Sequence, residues 1–162
     1  MLAVTRRTDP AVEQDVLRVG AVLGAGVDNQ ITALFRRKRL LLIRGSDSPF
    51  VFIWTQDLAR IVQHAATDAP AGIFNVAGDG WLSVDDLAQA MGKPVLPLPA
   101  WGLKAALAVL HPLGLSQYGP EQVRFLQYRP VLANDRLKHV FGYTPELTSA
   151  EVFDLWKREA GL

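Results

Sequence analysis

Few residues of this chain have the types and spacing that catalysis requires. The chain has no cysteine, which excludes disulfides, thiolate catalysis and cysteine-ligated metal centres. Its three histidines, His64, His111 and His139, lie far apart and form neither an H-x-x-x-H nor an H-E-x-x-H pattern. We therefore predict that the chain holds no metal.

The residues that would transfer a hydride are also missing from the sequence. A tyrosine can act as general acid and base when a nearby lysine lowers its pKa. Four positions after the three tyrosines stand Gln122, Leu132 and Leu147, none of them a lysine. The glycines at 20, 24 and 26 lack the Gly-x-x-Gly-x-x-Gly spacing that seats a dinucleotide pyrophosphate on a helix. The sequence predicts a chain that is inert by itself.

Composition narrows the class of protein. The 162 residues suggest one domain, and 49% hydrophobic with 20% charged residues is typical of a globular chain. The formal net charge of +1 gives no field that would attract nucleic acid or an anionic membrane. Met1 to Asp15 contains Arg6 and Arg7 but no apolar stretch of the kind that secretion requires. We expect a cytoplasmic protein that binds neither nucleic acid nor membrane.

One basic run leaves an alternative open. Arg36 to Arg39 could form an RNA-binding patch, although four cations at the end of a helix more commonly keep a domain in solution. The four tryptophans are dispersed, without the basic residues that single-strand binders place between them. We therefore assign the tryptophans to core and interface packing.

Strand-like runs alternate with helix-like runs, which predicts an α/β fold. Val16 to Leu23 is almost continuously apolar and reads as one strand covered on both faces. Leu40 to Ile43 and Phe50 to Trp54 are further strand candidates. Pro99 to Leu115 is apolar on nearly all sides, which favours a helix buried between layers or against another domain. A substrate-entry flap or a membrane-touching helix is the alternative.

Helix starts are marked by side chains that can cap them. Ser83 with Asp86, and Thr148 with Glu151, have the spacing of capping boxes. Thr55 is a third candidate cap. Further along the chain, Pro120 is expected to open a helix and Gly142 to end one. In the helix after Thr55 we expect one face formed by Leu58, Ile61, Val62 and Ala65.

Four segments, in their order and spacing, resemble the second half of a known family. They are Val16–Gly24, Phe50–Ala59, Gly72–Gly78 and Phe141–Pro145. The family is the extended short-chain dehydrogenase/reductases called NAD-dependent epimerase/dehydratases, and the resemblance runs from about Asp15 to Leu162. It implies that residues 1–162 form a single domain, the substrate-binding C-terminal part of an α/β, Rossmann-related enzyme. The N-terminal Rossmann lobe with its cofactor motifs is then missing from the chain.

The resemblance also implies roles for individual residues. Val19 and Gly20 correspond to positions at the nicotinamide end of the cofactor. Ala21 stands where nucleotide-sugar epimerases often have a substrate-binding asparagine. Asn29 corresponds to a contact with the sugar diphosphate, and a helix cap is its equal alternative.

Two further positions depart from the family pattern. Phe50 replaces the arginine that grips the diphosphate, and Trp54 replaces a histidine. Since phenylalanine offers only apolar area, this replacement favours a more apolar substrate. Both positions remain candidates for substrate contacts.

Other motif residues are interpreted as structural. Asp57, in a first helical turn, and Asn75, at a strand end, are expected to tie the backbone together. Arg124 and Arg129 lie where some relatives keep a second phosphate-binding arginine, but a solvated helix face is the interpretation favoured here.

These observations predict the C-terminal substrate-binding domain of an NAD(P)-dependent epimerase/dehydratase or reductase. Its substrate would be a nucleotide sugar or a more apolar hydroxyl or ketone compound. NAD or NADP would be bound by the full-length parent and not by this chain alone. The expected partners are the missing lobe, a small-molecule substrate and other copies of the chain, through exposed apolar surface. The alternative is a non-catalytic module that senses a ligand or binds a protein.

Overall fold

A computed structural model describes residues 14–114 and 119–162 of the chain. Its strands are β1 (Asp15–Val19), β2 (Ala21–Leu23), β3 (Leu40–Ile43), β4 (Phe52–Trp54), β5 (Gly72–Val76) and β6 (Val95–Leu98). Its helices are α1 (Gln30–Phe35), α2 (Thr55–Thr67), α3 (Val84–Met91), α4 (Ala100–Leu110), α5 (Gln122–Gln127), α6 (Asp135–His139) and α7 (Ser149–Glu159). Arg6, Arg7, Leu115 and Tyr118 lie outside the described residues. The alternation confirms a mixed α/β fold.

The strand predicted over 16–23 changes partner at Gly20. β1 runs parallel to β5, and β2 runs parallel to β4. At the change, the Gly20 amide donates to the Val76 carbonyl and the Ala21 amide to the Val51 carbonyl, each at 2.9 Å. A Cβ on Gly20 would lie 3.0 Å from the Val51 oxygen, which explains why a glycine stands where the backbones come together.

The prediction that this strand is covered on both faces is wrong for β1. Val19 and Arg18 are exposed, whereas Leu23 at the end of β2 is fully buried. The difference arises because β2 and β4 lie inside the larger core, while the described residues leave the last two side chains of β1 exposed, one on each face.

A third parallel pair joins β3 to β6, with Leu40 opposite Val95 and Ile43 opposite Leu98. An antiparallel bridge between Phe50 and Leu82 connects the approach to β4 with the start of α3. This bridge ties the segment before β4 to the start of α3.

The core is formed by two clusters of buried side chains. The larger one is centred on Phe35, whose ring centroid lies 5.3 Å from that of Phe50 and 5.5 Å from that of Phe153. The smaller one packs Phe74 against Phe141 between α2, β5 and α6. Aromatic pairs at these tilted geometries contribute roughly 0.5–1.5 kcal/mol each beyond their buried area.

Most predicted helix ends are confirmed. Ser83 and Thr148 cap α3 and α7 with reciprocal capping boxes. Gly142 follows α6 in a left-handed conformation, with φ of 86°. The Thr55 cap is wrong: the N-cap residue of α2 is Trp54, and no side chain caps that end.

Two other local expectations, on the start of α5 and on the buried face of α2, were wrong. Pro120 precedes α5, whose N-cap is Glu121, so it does not occupy the first helical position. Val62 is exposed on α2, although Ile61 is fully buried as expected.

Helix α4 is apolar and exposed. The described residues bury none of its side chains, and Trp101 is 76% exposed. Burial of α4 between layers formed by the described residues is therefore excluded. In the described ranges, no helix combines the length and the apolar character that crossing a bilayer requires.

Candidate functional site

The backbone around Gly20, where the strand changes partner, forms one wall of an open cleft, here called the Gly20 cleft. It has a volume of about 180 Å³, smaller than the roughly 300–1,000 Å³ of most small-molecule sites, so it suits a small ligand. Its lining comes from four segments: Val19, Gly20 and Ala21; Ile31; Pro49, Phe50 and Val51; Arg129, Pro130 and Leu132. Four residues that the sequence singled out, Val19, Gly20, Ala21 and Phe50, are thus brought together.

Local structure explains how these segments meet. The partner change at Gly20 turns the backbone of residues 19–21 toward the segment that leads into β4. Helix α1 follows β2 in the chain and contributes Ile31 to the cleft. The chain after α5 closes the other side, held there by hydrogen bonds to the turn that precedes Phe50.

Arg129 makes those hydrogen bonds. Its amide donates to the Ser48 hydroxyl at 3.0 Å, and its Nη1 donates to the Ser48 carbonyl at 3.1 Å. The guanidinium carbon lies 3.8 Å from the centroid of the Phe50 ring, a cation–π contact. The interpretation of Arg129 as part of a solvated helix face is therefore wrong. It follows α5 and is partly buried against the core.

The charge of Arg129 has no counter-ion in the described part of the chain. Its buried Nε has no hydrogen-bond partner there, and no carboxylate lies within ion-pair distance. Burial lowers the pKa of the guanidinium to about 10, so the group stays cationic at neutral pH. A cation in such a position favours a bound anion.

Phe50 forms the floor of the cleft and is only 5% exposed. One side of its environment is the aromatic core around Phe35 and Phe52, and Arg129 covers the ring. The arginine of the family pattern is absent at position 50, but a guanidinium from a distant segment lies over that position.

Asn29 and Trp54 make their contacts outside the Gly20 cleft. Asn29 caps α1: its Oδ1 accepts from the amides of Ile31 and Thr32, and its Nδ2 donates to the Val22 carbonyl at 3.0 Å. Trp54 is buried in the larger core cluster and does not line the Gly20 cleft. The cap interpretation of Asn29 is confirmed, and a substrate contact by either residue stays a prediction.

The residues interpreted as structural do tie segments together. Asp57 accepts from the Tyr143 hydroxyl at 2.7 Å and from the Glu146 amide at 3.2 Å. Asn75 donates to the Ala133 carbonyl at 2.9 Å. Burial, followed by the hydrogen bond to Asp57, raises the pKa of Tyr143 to about 12. A catalytic tyrosine needs the opposite shift, so Tyr143 is unsuited to general acid–base chemistry.

No Gly-x-x-Gly-x-x-Gly turn opens a helix in the described residues. Gly24 allows close packing of β2 against α2, since a Cβ there would overlap the Thr55 side chain. The starts of α1, α3 and α7 are closed by their own capping side chains. That NAD or NADP is bound by a full-length parent and not by this chain alone stays a prediction, as do the roles of Val19 and Gly20 at the nicotinamide end.

Solved structures of epimerases share the fold of this chain. The chain has the fold of about half of a protein of the NAD-dependent epimerase/dehydratase type. A human epimerase family protein crystallised with NADPH is 22% identical, with a TM-score of 0.65 over 91% of this chain and 49% of that one. UDP-glucose 4-epimerase from Thermotoga maritima is 16% identical, with a TM-score of 0.63 over 99% of this chain and 49% of that one. At these identities the likeness shows the fold alone.

The curated proteins with similar sequences are longer than this chain. It is 28% identical over 157 residues to uncharacterised proteins of Mycobacterium tuberculosis and Mycobacterium bovis. The match covers 97% of this chain but 41% of theirs, so the chain spans less than half the length of these curated relatives. No family model matches the chain.

Proposed function

We propose that this chain is the C-terminal, substrate-binding part of an NAD(P)-dependent epimerase/dehydratase or reductase. The observation that carries the proposal is the Gly20 cleft, which unites Val19, Gly20, Ala21 and Phe50 at one point of the fold. The family resemblance implies that Val19 and Gly20 lie at the cofactor end and that Ala21 and Phe50 contact the substrate, and Phe50 is the one brought in from a distant segment.

The chemistry of the cleft supports a binding role without catalysis. Its one charged side chain, Arg129, can hold an anionic group, and the other lining side chains are apolar. Hydride transfer would be supplied by NAD or NADP on the missing lobe, and this chain would bind and orient the substrate. Val19 and Gly20 would then close the nicotinamide end of the cofactor site.

The exposed end of β1 supports a missing partner lobe. Arg18 and Val19, which point to opposite faces of the strand, are both exposed, although β1 lies in a parallel ladder of the kind that proteins bury on both faces. A lobe packed against Val19 would also cover part of the Gly20 cleft. The substrate would then lie between the two lobes.

The test is ligand mapping by NMR on the isotope-labelled chain, combined with a turnover assay. We expect UDP-glucose or an apolar ketone to shift the amide resonances of residues 19–21 and 129–132 more than those of α7. We expect the chain alone to oxidise no NAD(P)H in the presence of either compound. Turnover by the chain alone, or shifts confined to α7, would refute the proposal.

The alternative is a binding module that has lost its chemistry. The replacement of polar gripping residues by Phe50 and Trp54 favours it. The sequence upstream of Met1 separates the two functions. An open reading frame that encodes Gly-x-x-Gly-x-x-Gly and Tyr-x-x-x-Lys supports the enzyme, and a ribosome-binding site directly before Met1 supports the module.

A further inference from the structure

The positive charge of Arg129, set among uncharged walls, indicates which class of ligand the Gly20 cleft binds. A second, much smaller cavity of about 20 Å³ shares Phe50 and Arg129 with the cleft and is otherwise lined by α1, β3, α3, α5 and the turn that contains Ser46 and Ser48. Arg129 is the only charged residue that lines either cavity in the described part of the chain. An anion at the guanidinium would therefore meet no carboxylate on these walls.

The remaining walls are poorly suited to a sugar. In the Gly20 cleft the side chains other than Arg129 are aliphatic, aromatic or proline, and Gly20 adds only its backbone. Sugar hydroxyls and a nucleobase need donors and acceptors, and a polar group buried without a partner weakens binding. A hydrocarbon body loses nothing on these walls and gains from being removed from water.

From this combination we propose that the Gly20 cleft binds an amphipathic anion, a carboxylate or phosphate monoester on a hydrocarbon body. The anionic group contacts the guanidinium of Arg129, and the hydrocarbon lies along Ala21, Ile31 and Leu132. The proposal rests on the proposed function, because it names the substrate class of the same site. It replaces the nucleotide sugar with a lipid-like compound.

Arg129 is suited to this selection because its position is fixed. The Ser48 carbonyl holds Nη1, and the Phe50 ring supports the guanidinium plane at 3.8 Å. An arginine that is already immobilised loses little side-chain entropy when an anion binds. Arg124, on α5 and exposed, has the same charge without these constraints and provides a matched control.

The experiment is isothermal titration calorimetry of the 162-residue chain with probes below their micellar concentrations. Octanoate and octyl phosphate are compared with 1-octanol, inorganic phosphate and UDP-glucose, and butyrate and hexanoate complete a length series. We expect affinity to rise roughly threefold to fourfold with each added methylene. Octanoate and octyl phosphate should bind more tightly than octanol, and the tighter of the two identifies the anionic group.

The variants separate the charge from the fold. Arg129→Gln should lower the affinity for octanoate and octyl phosphate by about tenfold or more and leave octanol unchanged. Arg124→Gln should leave all affinities unchanged. Arg129→Lys, which keeps the charge, guards against a folding defect, and circular dichroism verifies that each variant is folded.

Several results would overturn the inference. Equal binding of octanol and octanoate would show a merely apolar cleft, and equal losses in the Arg129 and Arg124 variants would show a general charge effect. Tighter binding of UDP-glucose than of octyl phosphate would refute the substrate class while leaving the proposed function intact. If no probe binds, the inference fails, and the NMR mapping decides the proposed function separately.

Discussion

Replacing Asp57 by alanine tests whether one buried carboxylate ties α2 to the segment after α6. Asp57 is 2% exposed and lies in the first turn of α2. Its Oδ1 accepts hydrogen bonds from the Tyr143 hydroxyl and the Glu146 amide. The alanine variant removes the acceptor and leaves both donors without a partner.

The magnitude follows from those two donors. A buried donor without a partner costs about 1–3 kcal/mol. One of the two donors regains water, because Tyr143 and Glu146 are near the surface, so we expect a loss of about 2 kcal/mol in the free energy of unfolding. For a chain of this length that corresponds to a decrease in Tm of roughly 4–8 °C. Asp57→Asn keeps an acceptor at the same place and should lose about 1 kcal/mol.

Urea denaturation followed by tryptophan fluorescence measures these differences. Asp68→Ala is the matched control, because Asp68 follows the other end of α2 and is exposed. In a double-mutant cycle with Tyr143→Phe, the coupling energy should be about 1–2 kcal/mol. A loss in Asp57→Ala within 0.5 kcal/mol of the Asp68→Ala value, or a coupling near zero, would refute the role assigned to Asp57.

Three further outcomes are expected. Gly78→Ala should lower the free energy of unfolding by about 1–3 kcal/mol in urea titrations, because the added methyl would lie 2.6 Å from the Leu147 carbonyl oxygen; an unchanged midpoint would contradict this. The pKa of Tyr143 is raised to about 12 in the folded chain, so the stability it contributes is complete below pH 10 and is lost as the pH rises toward 12. Tyr143→Phe should flatten this alkaline decrease, and an identical pH profile would argue against it. Trp101→Gln combined with Leu113→Gln should increase the monomer fraction in sedimentation velocity at high concentration, because both apolar side chains are exposed; a wild-type chain that is already fully monomeric would refute self-association.

Local signals were read correctly where the physical cause is local. The boxes at Ser83 and Thr148 depend on hydrogen bonds between residues three positions apart. Asn29 caps α1 in the same way, and its Nδ2 reaches only as far as Val22. A sequence specifies such contacts because no distant segment is needed to make them.

Local signals do not specify strand pairing, because the partners are distant in the sequence. The change of partner at Gly20 depends on Val51 and Val76, which are remote in the sequence. β6 was not predicted, since Pro94, Pro97 and Pro99 argue against a strand. It forms because β3 is its only strand partner in the described ranges, so Pro97 loses no bond on its open side.

The candidate site shows the same division. The sequence by itself determined the α/β alternation, the lack of a catalytic pair and the replacement of an arginine by Phe50. Only the tertiary structure decided that Arg129 lies over Phe50. It also decided that Trp54 is buried and that α4 is exposed. The physical reason is that a cleft is made by segments far apart in the chain, and their contacts are set by packing and not by local spacing.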